Sequence, residues 1–384
     1  MTRLYGRNPR LTALIALGIA NHIALSGSRV AISLHALHLG ASSAVVGVLL
    51  ALYALLPMVL AVAAGRLSDR IGVRRPMLVG SIGMVAGCAL PAIVPGLTAL
   101  FVSAVVLGVS FMLFQVPAQN ATGEMGPPSE RSHNFSMLAL GYSISGFCGP
   151  LVAGFTIDHV GYAAAFAVLA LLPLVPVAVL ATDRLPLRGP HPARAAASPG
   201  SALELLRLKQ LRRVFFANVL LAAAWDLHMI VIPVYGARIG LSASAIGIIL
   251  ASFAAATFVV RFAMRWIVRH ATEHQVLTGA LVIAGVVYLL FPFSHDARTL
   301  TALSFCLGLG LGMSQPMVMS LLHTHTPPGR MGEAAGVRMS LVQAMAVAVP
   351  LTFGTLGATV GLAPVFWSVG LCLAGGGLLT KRAA

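Results

Sequence analysis

The sequence predicts an all-α membrane protein of about twelve transmembrane helices. Three observations carry this: an apolar composition, hydrophobic runs of membrane-spanning length along the whole chain, and a register that relates its two halves. Of the 384 residues, 58% are hydrophobic and only 9% charged, and the mean hydropathy is +0.92. So few charges cannot cover a water-soluble surface. One span needs roughly 20 apolar residues, so about twelve use on the order of 240 positions.

Breaks in hydropathy at charged, Pro or Gly-rich points place spans near 12–38, 44–65, 76–95, 97–121, 133–156 and 162–182. Six more fall near 213–236, 243–267, 275–293, 298–323, 332–355 and 362–380. The opening Met1 to Arg10 resembles the start of a secretory signal, but the apolar run from Leu11 extends to about Leu39. That is too long for a cleaved signal core, so it is expected to stay as the first helix.

The formal net charge of +15 could suggest nucleic acid. The basic residues are scattered between apolar runs, which fits anchoring on one membrane face better, and no nucleic-acid partner is expected. With a cytoplasmic amino terminus, Arg66, Arg70, Arg74, Arg75, Arg131, Arg265, Arg269 and Arg330 fall in loops on one side. The opposite loops carry only Arg238 and Arg298. Both termini are then expected inside, which requires an even number of spans. Cys88, Cys148, Cys306 and Cys372 stand singly in apolar stretches, without metal spacing, and read as packing residues.

The stretch 183–212 contains Arg184, Pro186, Arg188, Pro190, Pro192, Arg194 and Pro199, and one short amphipathic piece from Leu203 to Leu211. It reads as a cytoplasmic linker between residues 1–182 and 213–384. These halves match at a shift of 200 positions: Gly108 with Gly308, Gln115 with Gln315, Pro127-Pro128 with Pro327-Pro328, Pro150 with Pro350, Gly154 with Gly354, Gly161 with Gly361, and Phe166 with Phe366. Two pseudo-symmetric six-helix bundles are implied, with a site expected near the midplane where the repeats meet.

Between the second and third spans stands Gly65-Arg66-Leu67-Ser68-Asp69-Arg70-Ile71-Gly72-Val73-Arg74-Arg75. An Asp among arginines at a helix end can pair with them and sit against the positive N-terminus of a neighbouring helix. Gly65 and Gly72 allow close approach and a tight turn. Asp69, Arg70, Arg74 and Arg75 are thereby candidates to hold a gate, beside the plainer reading as a positive-inside anchor. The stretch resembles the loop signature G-x-L-x-D-R-x-G-R-R of the major facilitator superfamily, and twelve spans in two six-helix repeats match that family over nearly the whole chain.

The fifth span holds a second match: Gly141, Gly146, then Gly149-Pro150-Leu151-Val152-Ala153-Gly154. Small residues let helices touch, and Pro150 permits bending. Gly146, Gly149, Pro150 and Gly154 resemble the glycine-proline signature of the exporter branches of that superfamily, with Ala153 in place of one glycine. Simple packing is the competing reading. The chain also departs from the family: its drug:proton antiporters usually carry an Arg in the fourth span, and Leu97 to Ala121 contains no basic residue. The second-half counterpart of the loop signature, Arg265 to Gln275, lacks the glycines and the Asp.

A charged side chain inside a bilayer costs roughly 2.5–3.5 kcal/mol on insertion scales, so those present face a cavity or a partner. Of the ten acidic residues, Asp226 alone lies well inside a span. It is the candidate to take up a proton, or else one half of a static ion pair. Arg29 in the first span is its expected partner, because Asp226 corresponds to Ser26 under the repeat, about one helical turn from Arg29. Arg261 and Arg338 are further cavity candidates suited to an anionic group. Gln115, Gln119 and Asn120 in the fourth span and Gln315 in the tenth suit neutral or zwitterionic ligands, or ordinary interhelical hydrogen bonds. Asn21 and His22 are weaker candidates, as are Tyr142, Trp225 and Gln343. His228, two positions from Asp226, should point to roughly the opposite face. No convergent metal ligands are evident and no cofactor is expected.

The chain is expected to be a bacterial inner-membrane transporter that works as a monomer by alternating access. Its expected partners are a small amphipathic organic substrate, the lipid bilayer and, in the antiport reading, protons. The runner-up is an importer of a small organic anion, favoured by Arg29, Arg261 and Arg338. A non-transporting receptor would show a sizeable soluble domain, and an enzyme would show a set such as HExxH or GxSxG; neither is found.

Overall fold

The computed structural model describes residues 9–125, 130–182, 185, 202–327 and 330–381. Most of the expected linker, including Arg184, Pro186, Arg188, Pro190, Pro192, Arg194 and Pro199, lies outside the described residues, as do Pro127, Pro128 and Pro328. The side chains of Asp69 and Arg265, within helices, also lie outside them.

The first half forms α1 (Pro9–His38), α2 (Ser43–Ile71), α3 (Arg74–Ile93), α4 (Leu97–Glu124), α5 (Arg131–Val160), α6 (Tyr162–Leu171) and α7 (Leu174–Ala181). After the short α8 (Ala202–Arg207) come α9 (Lys209–Arg238), α10 (Ala243–His270), α11 (Glu273–Leu290), α12 (Ala297–His325), α13 (Met331–Thr359) and α14 (Leu362–Lys381). Pro9 and Lys209, Ser43 and Ala243, Leu97 and Ala297, Arg131 and Met331, and Tyr162 and Leu362 open matching helices, each pair 200 residues apart. The repeat seen in scattered Gly and Pro residues therefore runs through the whole architecture.

Eleven helical segments among the described residues are long and apolar enough to cross a membrane, and α14 adds a shorter apolar stretch, Leu362–Gly377. The chain is thus a multi-pass membrane protein. The sixth span, expected as one helix, is broken between α6 and α7. Pro173 and Pro176 lack the N–H groups that would continue the ladder, and Val175 N instead bonds the Leu172 carbonyl at 3.2 Å. α9 begins at Lys209, four residues before the span expected from hydropathy, because Leu211 is fully buried and draws the first turn into the core.

Contacts divide the chain into two compact units. The first comprises Met1–Gly40, Leu52–Ala195 and Ser242–Gly247; the second comprises Ala41–Ala51, Ala196–Leu241 and Ile248–Ala384. In each, helices meet through small residues, as expected where lipid removes the hydrophobic drive for helix association.

In the first unit, α5 crosses α1 at Gly149 and Gly27, where a methyl group on Gly149 would stand 2.8 Å from the Gly27 nitrogen. Gly80 likewise packs on the α4 backbone at Ser110 and Phe114, and Gly108 on the Tyr53 backbone. The first turn of α10 lies on α5: Gly247 faces the Pro150 carbonyl, Gly154 faces that of Ala243, and the Asp158 carboxylate accepts from Ala243 N (2.9 Å) and Ser244 N (2.7 Å). Asp158 thereby satisfies two donors that have no partner inside the helix. Leu14, Leu17, Met77 and Phe114 belong to one buried apolar cluster of this unit.

The second unit repeats the scheme. Gly47 at the start of α2 packs on the Pro350 carbonyl and Gly354 of α13, and Gly308 on the Phe253 backbone. Arg238 donates to Ser43 Oγ at 2.8 Å. Leu205 of α8 is buried against Leu211, Phe215, Leu322 and Ala334, and Glu204 pairs with Arg330 at 2.9 Å.

Asp296 caps α12, accepting from Thr299 N at 2.9 Å and Thr299 Oγ1 at 2.6 Å. The Thr299 hydroxyl, then its amide, hold the Asp296 carboxyl below the usual carboxylate range. Its stabilisation is therefore complete above the unfolded pKa of about 3.9 and is lost as pH falls through the lower folded value. Asp296→Ala should lower the melting temperature in detergent at neutral pH, and the gap to wild type should close in acid as the wild-type carboxylate protonates. A larger substitution at the α1–α5 crossing should be more severe. Gly149→Leu is expected to cost about 1–3 kcal/mol by overpacking, read as earlier thermal loss of the monodisperse gel-filtration peak, whereas Gly279→Leu, where a Cβ meets nothing within 4 Å, should unfold like wild type.

Candidate functional site

A cavity of about 290 Å3 lies inside the second unit, bounded by α9, α10, α12 and α13. Helix periodicity explains its lining. Asn218, Leu221, Ala222 and Trp225 recur at steps of three and four along one face of α9, with Asp226 beside them. α12 contributes Leu311, Ser314, Gln315 and Val318 at the same steps, and α13 contributes Arg338 and Val342, one turn apart. Arg261 enters from α10.

The repeat also shows where the two halves differ beside this cavity. At the α1–α5 crossing the partners are glycines, and Ser26 Oγ donates to the Ser145 carbonyl at 3.1 Å. The corresponding positions in α9 and α13 are Leu227 for Gly27, Val349 for Gly149, Asp226 for Ser26 and Met345 for Ser145. With side chains in place of hydrogen atoms, these two backbones cannot close on each other in the same way. Of these four positions, Asp226 reaches the cavity wall.

Of the charged residues singled out from sequence, the structure brings Asp226, Arg261 and Arg338 together, with Gln315 at the same cavity. Two of the cavity donors stand out. Asn218 is only 6% exposed and its Nδ2 has no hydrogen-bond partner. Arg338 Nε is likewise buried without one, while its Nη2 lies 3.3 Å from Met339 Sδ, a weak acceptor. The Trp225 ring is braced edge-on against Phe253, with centroids 4.7 Å apart. Asn218 was missed by sequence reasoning. The signal was an amide in the middle of an apolar run, which passes unnoticed beside a carboxylate. His228 is fully buried among Phe253 and Phe291, and it shares the Phe253 ring with Trp225, about one helical turn away along α9.

The remaining candidates lie in the first unit. His22 packs on Tyr142 (4.8 Å) and Phe111 (5.4 Å), and Gln115 faces the Tyr142 hydroxyl, which makes no hydrogen bond of normal geometry. Asn21 is fully buried and donates to Ser81 Oγ at 3.0 Å, a packing role. The Arg29 guanidinium sits 5.8 Å from the Tyr53 ring centre, and the Tyr53 hydroxyl shares a 3.0 Å hydrogen bond with Ser28. Gln119 is half-buried and Asn120 exposed. Among the described residues no three His, Cys, Asp or Glu side chains converge as a metal site would require. Cys88 is buried, whereas Cys306 and Cys372 are exposed on their helices rather than packed inside.

In the loop motif, Gly72 takes a positive φ of 81° and turns the chain from α2 into α3. Arg74 donates through Nε to the Leu180 carbonyl (2.8 Å) and through Nη2 to that of Ala181 (3.1 Å). These are carbonyls at the C-terminal end of α7, where a cation is favoured. Arg66, Arg70 and Arg75 are exposed. In the glycine-proline motif, Gly149 lies at the α1 crossing and Pro150 and Gly154 at the first turn of α10, while Gly146 is half-buried.

A family model described as Major Facilitator Superfamily matches residues 14–350. The chain is 27% identical over 323 residues to the tetracycline resistance protein, class C, of Escherichia coli, covering 79% of this chain and 78% of that protein. It is 22% identical over 350 residues to the quinolone resistance protein NorA of Staphylococcus aureus, covering 88% of this chain and 87% of that one. Among solved structures, a peptide transporter POT in complex with sulfate superposes with a TM-score of 0.81 at 16% identity, covering 98% of this chain and 94% of the other, which speaks to fold alone. With its matched helices, loop motif and family match over most of its length, the chain belongs to the Major Facilitator Superfamily and is a membrane transporter rather than an enzyme.

Proposed function

We propose that this transporter exports small amphipathic organic compounds from a bacterial cell in exchange for protons, with Asp226 as the carboxylate that carries the proton. The observation that carries the reading is the position of Asp226: an acidic residue set well inside a span, on a cavity wall it shares with Arg261 and Arg338. A carboxylate is expensive in a bilayer unless a cavity, water or a cation receives it. Protonation removes the charge and weakens its hold on the neighbouring guanidinium groups, which gives a two-state element for transport. With no basic residue from Leu97 to Ala121, coupling falls to this cluster rather than to the fourth span.

The outward direction draws on the curated relatives, whose names are those of drug-resistance proteins. Removal of the compound from the cell is how a membrane transporter confers resistance. The glycine-proline motif supports the same direction. The arginine-rich loops support a cytoplasmic position for both termini. There Gly65, Asp69, Arg70, Gly72, Arg74 and Arg75 form a gate, of which Arg74 ties α3 to the end of α7. The working unit is a monomer. A second reading, import of a small organic anion, is favoured by the two arginines beside the single carboxylate.

In proteoliposomes with an imposed pH gradient, the wild type should accumulate substrate against its gradient. Asp226→Asn should abolish that accumulation, while counterflow between equal substrate pools persists. Accumulation unchanged in Asp226→Asn would remove Asp226 from coupling, and flux running with rather than against the proton gradient would favour the import reading.

A further inference from the structure

We propose that the cavity of the second unit takes its ligand by an acidic group, held by the Arg338 guanidinium and the Asn218 amide, with the ligand's planar apolar part lying along Trp225. The class of compound is an aromatic carboxylate, or a zwitterion that presents one, rather than the lipophilic cation often assumed for a drug transporter. The inference rests on the preceding reading in that it takes this cavity to be where the transported compound sits.

Three features of the cavity lead to this class. Its ionisable lining is one carboxylate and two guanidinium groups, an excess of one positive charge. Its buried groups without hydrogen-bond partners are donors: Asn218 Nδ2, on a side chain more than nine-tenths buried, and Arg338 Nε. A buried donor is satisfied only by an acceptor, so these two atoms select a ligand oxygen over a ligand N–H, and the guanidinium selects a charged oxygen over a neutral one. An ammonium group would leave both donors unmet, and Asp226, the carboxylate of the lining that could receive it, already shares the wall with two arginines. Trp225 is 36% exposed and braced by Phe253, which suits it to receive a flat ring. The volume, about 290 Å3, sits at the lower end of small-molecule pockets, and suits one or two fused rings with a short substituent.

Isothermal titration calorimetry on the full chain in phosphatidylcholine nanodiscs, with empty-disc subtraction, tests this with three matched probes: 2-naphthoate, 2-naphthamide and 2-naphthylmethylammonium. The acid should bind the wild type at least about tenfold more tightly than the amide and the ammonium, the scale of one charge-assisted hydrogen bond. Arg338→Gln should erase the preference for the acid while leaving amide affinity within about twofold. Arg338→Lys should restore part of it, and Asn218→Leu should weaken the acid more than the ammonium. Thermal unfolding of each variant checks that the fold is intact. Equal affinity of the wild type for acid and amide would overturn the proposal, as would an Arg338→Gln variant that unfolds like wild type and keeps the full preference for the acid. Flux of the same probes in proteoliposomes separates the two readings. Acid-selective binding without flux supports the acidic-group site and sinks its role as the transport site, whereas flux without acid preference keeps the transport reading and sinks this one.

Discussion

Helices in a bilayer gain nothing from hiding apolar surface, since lipid tails are as apolar as leucine, so their association depends on how closely their backbones approach. Almost every crossing described here obeys that constraint through glycine. Gly27 meets Gly149, Gly108 lies on Tyr53, Gly308 on Phe253, and Gly47 and Gly247 lie on the carbonyls of Pro350 and Pro150. These contacts set the helix axes, and the axes decide where any side chain can meet another. Polar contacts then add to a geometry that the glycines have already imposed, as when Asp158 caps the first turn of α10 and Arg74 receives the end of α7.

The same constraint explains how two copies of one design come to differ. The units share helix order, glycine crossings and positive-φ turns at Gly161 and Gly361. They part at the contact between the first and fifth helices of each repeat. In the first unit the backbones touch and the polar groups nearby are satisfied by backbone carbonyls, the Ser26 hydroxyl donating to Ser145 and the Ser145 hydroxyl to Gly141. In the second, Leu227 and Val349 replace glycines and Asp226 replaces the serine. The close glycine contact is lost beside the position that gains a carboxylate, and that carboxylate reaches a cavity wall it shares with Arg261 and Arg338.

Much of the architecture was legible because the bilayer leaves few choices. Spans must be apolar and of a set length. The repeat appeared in sequence only as scattered Gly, Pro, Gln and Phe matches, yet five pairs of helices in the two halves start 200 residues apart. What was illegible followed from short-range detail. The break in the sixth span depends on which carbonyls lose their donors to Pro173 and Pro176. Hydropathy also reported that Cys306 and Cys372 lie in apolar runs, but an apolar run does not say which side of the helix faces the lipid.

The candidate site divides in the same way. Sequence by itself determined that Asp226, Arg261 and Arg338 need a reason to be in the membrane, because the cost of a buried charge is a property of the residue and its depth. It also determined the fold, through span length and repeat. Only the tertiary structure decided that these three share one cavity, that Asn21 is bonded to Ser81, and that Asn218 joins the cavity wall. Those outcomes depend on the rotation of each helix about its own axis, which is set by side chains on neighbouring helices and leaves no periodic trace along a span that is apolar on every face.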